Sequence, residues 1–324
     1  LKFLITGIAG FAGCYLAKTL IDEGHIVYGI VRSGKNTNES FSYVLDEKEI
    51  IKIKLFHGDI FDSKFVEKIF TDNKFDGVFH LASMTNIPIS FIDPISTFND
   101  NLLGTINVCE EIIKHNQNCI LMFCSSVSVY GNYEKEMFEN TPTNPIDPYS
   151  VSKLSAEIYI KSKTFNNQLK SFIVRPSSHT GPKRHYNFSI SSDAYQIAKI
   201  LKKQQEPIIK VGNLSCQRAI MDVRDVCSVY YKLMMKYIEG CISNGDIFNV
   251  AGENVHEIKH YIDIMLNLFD VKAELVANDN LSRKVDISIQ RVNINKMKSL
   301  INWKSKYNIE ITLKDLVEYW LKRS

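Results

Sequence analysis

Tyr149 and Lys153 stand four residues apart in the run Tyr149-Ser150-Val151-Ser152-Lys153. On a helix that spacing puts both side chains on one face, one turn apart. A free tyrosine titrates near ~10, too high for a base at neutral pH. An ammonium beside it favours the phenolate. The pair is an acid/base device for a carbonyl or an alcohol, the kind of assistance worth ~10²–10⁴-fold. Ser126 lies 23 residues upstream, in Cys124-Ser125-Ser126-Val127-Ser128-Val129-Tyr130-Gly131. It ends an expected strand, where its hydroxyl can hydrogen-bond the reacting oxygen.

A second constellation opens the chain. Lys2 to Thr6 is a short β-rich run, followed by Gly7-Ile8-Ala9-Gly10-Phe11-Ala12-Gly13 and a helical stretch to Glu23. Strand, glycine turn and helix place a helix N-terminus beneath a pyrophosphate. Gly7, Gly10, Phe11, Ala12 and Gly13 are the expected cradle of a dinucleotide. The next strand, Ile26 to Val31, leads into Arg32-Ser33-Gly34-Lys35, a segment with no acid and two bases. An acid there suits the ribose hydroxyls of NAD, and an arginine suits the extra phosphate of NADP. Arg32 is read as the 2′-phosphate clamp, so NADP(H) is favoured and NAD(H) stays possible. Cradle and pair together imply hydride transfer with a nicotinamide, whose positive charge adds to that of Lys153 in favouring the Tyr149 phenolate. Lys153 can also hold the nicotinamide ribose.

The elements that must position these residues alternate regularly. Strands are expected at Ile53–His57, Gly77–Leu81, Ile120–Cys124 and Ser171–Val174. Helices are expected at Phe61–Phe70, Thr97–His115 and Tyr149–Phe165. This βαβ series predicts a Rossmann-type, doubly wound parallel sheet of the α/β class. Ligands of such sheets bind beyond the carboxyl ends of the strands, where Asp59, Ala82, Ser83 and Ser126 fall. Ser33 to Ser42 reads as a loop. After Arg175-Pro176 the chain turns loop-like from Ser177 to Ser192, then mixes helix and strand. Asp246 to Val250 reads as a strand returning to the first sheet. The division is thus residues 1–175 for the dinucleotide and 176–324 for a smaller, mixed α/β substrate lobe.

Composition fits this reading. The chain has 324 residues and a formal net charge of +3, which suggests neither a nucleic-acid nor a membrane role. No apolar run approaches the ~18 residues of a membrane span. Seven cysteines without CxxC spacing suit free thiols in a reducing cytoplasm. No signal peptide is expected, because Leu1 leads straight into the first strand. His179 and His185 read as loop histidines, and no metal site is expected. Asn101 reads as a structural or proton-relay residue, and Tyr186 and Phe188 as packing residues.

The motifs resemble those of extended short-chain dehydrogenases/reductases almost end to end. They are Thr6-Gly7-x-x-Gly10-Phe11-x-Gly13, Gly58-Asp59-Ile60, His80-Leu81-Ala82, Asn101-x-x-Gly104-Thr105, Ser125-Ser126, Tyr149-x-x-x-Lys153, Arg175-Pro176 and Asp222-Val223-x-Asp225-Val226. The resemblance implies that Asp59 contacts the adenine and that Ile60, Leu81, Ala82 and Ser83 belong to the cofactor site. It makes Ser126, Tyr149 and Lys153 the catalytic set. Glu206-Pro207-Ile208-Ile209-Lys210-Val211-Gly212-Asn213-Leu214, followed by Arg218, is similar to GDP-4-keto-6-deoxy-mannose reductases and, more loosely, to GDP-mannose 4,6-dehydratases. By that likeness Asn213, Arg218 and Arg283 hold the diphosphate of a GDP-sugar, with Thr85, Ser126 and Ser178 near the sugar. Always-charged planar guanidinium groups suit a diphosphate. The likeness also implies a homodimer, formed through the helices 97–115 and 149–165.

Departures from the pattern narrow the chemistry. Dehydratases of this group carry an acid just after the catalytic Ser/Thr, usually with a second nearby; here those places hold Val127 and Ser128. Neither can move a proton for loss of water across C5 and C6, which argues against 4,6-dehydration. Ser178 stands where the relatives have asparagine, and Ser83-Met84-Thr85-Asn86 lacks their lysine or glutamine. The leading expectation is reduction at C4 of a GDP-linked 4-keto sugar, 6-deoxy-mannose or a related manno-heptose. A GDP-sugar 4-dehydrogenase, or an epimerase that retains its cofactor, is the alternative. A non-catalytic cofactor sensor comes last, because it has no need of the catalytic set.

Overall fold

The structure, a computed structural model, describes residues 1–34, 37–278, 281 and 287–323. Its centre is a seven-stranded, wholly parallel sheet. In chain order the first six strands are β1 (Lys2–Thr6), β2 (Ile26–Val31), β3 (Lys54–His57), β4 (Gly77–His80), β5 (Ile120–Cys124) and β6 (Lys170–Pro176). Across the sheet they run β6-β5-β4-β1-β2-β3, with Ile247–Val250 pairing outside β6. The crossovers diverge between β1 and β4, so the ligand crevice of a doubly wound fold opens there. Register sets the strand ends level: Thr6 lies opposite both Ile30 and His80.

Apart from the edge strand β3, the strands are buried on both faces, which is why they read as apolar runs rather than alternating ones. On one face the helices Phe11–Asp22 and Val223–Ile238 pack side by side over Phe3, Ile5, Val27 and Met122. On the other, Ser63–Asp72, Gly104–His115 and Pro148–Phe165 cover Leu4, Val78, Leu121 and Ile173. Beyond the sheet a third cluster joins the helices Ser189–Leu201, Ile258–Leu268 and Ile309–Leu321 to the strand Ile208–Val211. No helix among the described residues is long and apolar enough to cross a membrane.

Several expected spans change. The helix expected from Phe61 runs Ser63–Asp72, because the Asp62 carboxylate caps it by accepting from the Lys64 and Phe65 N–H groups. The expected helix Thr97–His115 begins at Pro94 and passes through a π turn at Asn99–Leu103. Part of the expected loop 33–42 is the short helix Thr37–Phe41. The loop-like stretch 177–192 contains a two-residue strand, His179–Thr180, paired with Met221–Asp222. The helix Ser189–Leu201 also begins within it.

Candidate active site

The glycine turn is built for close approach. Gly7 sits at φ +73°, and a Cβ there would meet the Ala82 backbone at 2.9 Å. A Cβ on Gly13 would meet the Gly7 carbonyl oxygen at 2.4 Å. Gly10 caps the helix Phe11–Asp22 without any side-chain acceptor, so its first-turn N–H groups remain for an anion. These features fit a dinucleotide, with Gly7, Gly10, Phe11, Ala12 and Gly13 at its pyrophosphate. The β1 and β4 ends are tied together by Thr6, whose Oγ1 accepts from the Ala82 N–H at 3.1 Å and meets His80 Nδ1 at 2.7 Å. His80 in turn bonds Thr105 at 2.9 Å. Burial, with the Lys153 charge adding, lowers its imidazole to about 3. Leu81, Ala82 and Ser83 therefore border the crevice.

Arg32, just past β2, lies between two acids, with Nε 3.2 Å from Asp59 and Nη2 2.5 Å from Asp100. Asp59, just past β3, also accepts from the Phe61 N–H, and Ile60 beside it is buried. The structure thus brings the three adenosine-end candidates together. Arg32→Ala is expected to weaken NADPH binding about tenfold, the scale of one charge-assisted contact, and to leave NADH nearly unchanged. Equal losses in fluorescence titrations with both cofactors would remove Arg32 from 2′-phosphate recognition.

The helix Pro148–Phe165, which carries Tyr149 and Lys153, starts sharply. Pro148 fixes its first position, and Asp147 caps it by accepting from the Ser150 N–H at 2.8 Å and the Ser150 hydroxyl at 2.7 Å. Tyr149 and Lys153 then lie buried on one face. Lys153 Nζ sits 4.5 Å over the Phe123 ring. Burial pushes its ammonium down to about 8, against an upward pull from Cys124 and Glu157. Burial pushes the Tyr149 phenol up and Cys124 adds to this, while the Ser126 hydrogen bond and the Arg184 charge draw it down. Arg184 thus adds a positive charge that favours the phenolate, beside Lys153 one helical turn from Tyr149.

Ser126 is oriented by Ser128. Its Oγ accepts from the Ser128 N–H at 3.2 Å and from the Ser128 hydroxyl at 2.8 Å. With its acceptor capacity taken, the Ser126 O–H is left to donate. Asn101, on the π turn, accepts from the Ser83 hydroxyl and the Met84 N–H, both at 2.8 Å, and donates to Met84 O and Ser152 Oγ. It fastens the loop after β4 to the catalytic helix.

Two residues of the site were not anticipated. Arg184 lays its guanidinium 3.5 Å over Phe188 and 4.9 Å over Phe11 of the glycine turn. Burial lowers it to about 10, with Tyr149 opposing. Lys183 Nζ reaches Cys14 Sγ at 2.9 Å and Gly10 O at 3.4 Å. Tyr15 donates to Pro182 O at 2.9 Å, so residues 182–184 strap down over the glycine turn. His179, expected only as a loop histidine, stacks parallel to Phe11 at 5.8 Å. Burial, reinforced by Arg184, holds it neutral at about 4. Nothing local in the sequence announces these contacts.

The substrate candidates are less assembled. Ser178 and Thr85 are exposed. Asn213 is exposed too, and its Oδ1 accepts from the Ser215 N–H and hydroxyl. Arg218 is buried and donates to Gln217 O at 2.8 Å and Ser288 O at 3.5 Å. Arg283 lies outside the described residues. One group of possible metal ligands occurs among the described residues, Glu67, Glu111 and His115. Glu67 pairs with Lys114, and His115 Nε2 lies 3.1 Å from Glu111 Oε2.

With this geometry in view, the comparisons with known proteins decide the family. The family model for GDP-mannose 4,6 dehydratase matches residues 4–316. The chain belongs to the GDP-mannose 4,6-dehydratase family. It is accordingly an enzyme of the NAD(P)-dependent extended short-chain dehydrogenase/reductase class, working on nucleotide sugars. Within that family it is 28% identical to GDP-6-deoxy-D-mannose reductase of Pseudomonas aeruginosa over 251 residues, covering 76% of this chain and 81% of the relative. It is 24% identical to GDP-mannose 4,6 dehydratase 1 of Arabidopsis thaliana, covering 97% and 88%. The fold matches RMD from Pseudomonas aeruginosa, solved with NADPH, at a TM-score of 0.81 and 24% identity over 100% of this chain and 99% of that one.

Proposed function

We propose that this family member reduces the C4 carbonyl of a GDP-linked 4-keto sugar, 6-deoxy-mannose or a related manno-heptose, with NADPH. The carrying observation is the Ser126–Tyr149–Lys153 set standing beside Val127 and Ser128, where a dehydratase needs acids. The bound cofactor would supply the hydride. Ser126 then holds the C4 oxygen, Tyr149 gives it a proton, and Lys153 stabilises the phenolate that remains. Ser128 spends both donors on Ser126, so it serves the reduction by orienting that residue and has no carboxyl group for dehydration. The reductase of Pseudomonas aeruginosa, by its name, supports the GDP-linked 6-deoxy sugar.

The division of labour proposed is a dinucleotide half, residues 1–175 with the strand Ile247–Val250, and a nucleotide-sugar lobe from 176 to 324. Arg218→Ala is expected to raise KM for the sugar nucleotide about tenfold or more, the scale of a lost charge-assisted contact, and to leave cofactor affinity alone. Weakened cofactor binding would instead place Arg218 in the other half. We further propose a homodimer. Ile92, Ile95, Ile158 and Phe165 are 60–88% exposed on the outer helices, an apolar face that a second copy would cover.

The experiment is nicotinamide absorbance on mixing the protein with GDP-4-keto-6-deoxy-mannose, with NADPH and NADH in parallel. Rapid oxidation supports the reductase reading, and absence of turnover overturns it for this sugar. A second reading, an epimerase or 4-dehydrogenase with a retained cofactor, draws on the strap of Pro182, Lys183 and Arg184 over the glycine turn. Nucleotide released from denatured protein and identified by mass spectrometry separates the two.

A further inference from the structure

The helix Ser189–Leu201 carries one residue that its packing does not explain. Its inner face places Ile190, Ala194 and Ile197 in the core of the second lobe, and among them stands Asp193, 4% exposed. Asp193 Oδ2 is buried without a hydrogen-bond partner, and no cation among the described residues offsets it. Burial alone pushes its carboxyl up to about 8. A buried acid left unpaired costs stability and calls for an explanation, of which a ligand with donors is the most direct.

Its position indicates the ligand. Gln196, one turn further along the helix, grips the strand Ile208–Val211 by accepting from Lys210 N at 2.8 Å and donating to Lys210 O at 3.0 Å. Helix and strand are successive elements doubling back on each other. Three residues towards the helix start is about 4.5 Å. Along the strand that is a little more than one residue beyond Lys210, at about 3.3 Å per residue. Asp193 is therefore level with Val211 and Gly212, where the Gly212-Asn213-Leu214 segment begins. The start of the same helix follows the loop that carries Arg184, whose charge acts on Tyr149. Asp193 thus stands one helical turn from the loop that carries Arg184, level with the start of the Gly212-Asn213-Leu214 segment.

We propose that Asp193 is the base-recognition residue of the nucleotide site, its carboxylate accepting from the adjacent N1–H and 2-amino group of a guanine. The inference rests on the GDP-sugar reading above. Guanine presents two neighbouring donors, which match the two oxygens of one carboxylate. Uracil and thymine offer a single N–H flanked by carbonyls, which a carboxylate repels. An acid here would select GDP both by attraction and by rejecting the other bases.

The test is calorimetric titration of the whole protein with GDP, IDP, XDP and UDP, for the wild type and Asp193→Asn. Wild type should bind GDP about tenfold or more tightly than IDP, which lacks the 2-amino donor to the carboxylate. Asp193→Asn should reverse the preference between GDP and XDP, because its amide donates to the xanthine 2-carbonyl. A merely structural acid would not produce that exchange. Equal GDP and IDP affinities, both well above UDP, would overturn the role of Asp193 and leave the GDP reading standing. UDP binding most tightly would overturn both. The wild-type comparison holds even if the variant fails to fold.

Discussion

Tyr149→Phe is expected to lower kcat about 10²–10⁴-fold, the contribution of a positioned acid, while leaving dinucleotide affinity within a factor of two or so of wild type. The reason is the distribution of protons around the reacting oxygen. Ser126 has an O–H left to donate, but its own oxygen is taken up by Ser128. In the proposed reduction it can steady the C4 oxygen and is a poor source of the proton. Lys153 lies over the Phe123 ring with its charge weakened by burial to about 8. Of the three, Tyr149 alone combines a transferable proton with a cation, Arg184, that favours its phenolate.

The pH dependence follows in sign. A lysine depressed to about 8 is charged below that pH and neutral above it. The phenol, held above its usual range by burial, keeps its proton further up. For reduction, kcat/KM of the wild type should therefore fall as pH rises through about 8, when Lys153 ceases to stabilise the phenolate product. In Tyr149→Phe no phenolate forms, and the residual rate should be nearly flat across the same interval. A wild-type-like rate in the variant, or an unchanged falling limb, would take Tyr149 out of the mechanism.

The candidate set of Ser126, Tyr149 and Lys153 could be picked out because its signals are local. Tyr149 and Lys153 are related by one helical turn, Gly7 to Gly13 by one tight turn, and Ser126 by the end of an apolar strand. Each spacing is set by backbone geometry over a few residues, and the alternation of elements then dictates the parallel sheet. Arg184 and Lys183 were not legible. Their partners, Phe11 and Cys14, lie about 170 residues away, and their stretch of sequence looks like solvated loop. The helix break at Asn99–Leu103 was missed for a different reason. Periodicity runs through a π turn with little change, yet the extra residue per turn is what lets Asn101 face both Met84 and Ser152. Among the substrate candidates the sequence supplied residue types without directions: Asn213 turns back on Ser215, and Arg218 turns to carbonyl groups.

Glu157→Gln carries the largest expected effect on stability. Glu157 sits one turn beyond Lys153, fully buried, and Arg175 in β6 is 2% exposed. The guanidinium grips the carboxylate with both hands, Nε to Oε1 at 2.9 Å and Nη2 to Oε2 at 2.6 Å. The Ser125 hydroxyl donates to the same carboxylate, so the residue before Ser126 is held by it. On its other side Arg175 donates to Glu139 O at 3.2 Å and stacks 4.7 Å over Tyr130. Tyr130 donates to Asn249 Oδ1 at 2.7 Å, and Asn249 lies in the returning strand. One buried pair therefore joins the catalytic helix, β6, the turn after β5 and Ile247–Val250. Removing its negative charge strands a buried cation, a change that costs about 3–5 kcal/mol and should lower the melting temperature by roughly 10 °C. Replacing both members, as in Glu157→Gln with Arg175→Met, should cost less than Glu157→Gln alone, since no charge is then left unpaired. Thermal unfolding of the two variants and the wild type decides it. A single variant within about 1 kcal/mol of wild type, or a double variant worse than the single, would mean that no stranded charge governs the loss and that the four elements are held together by packing.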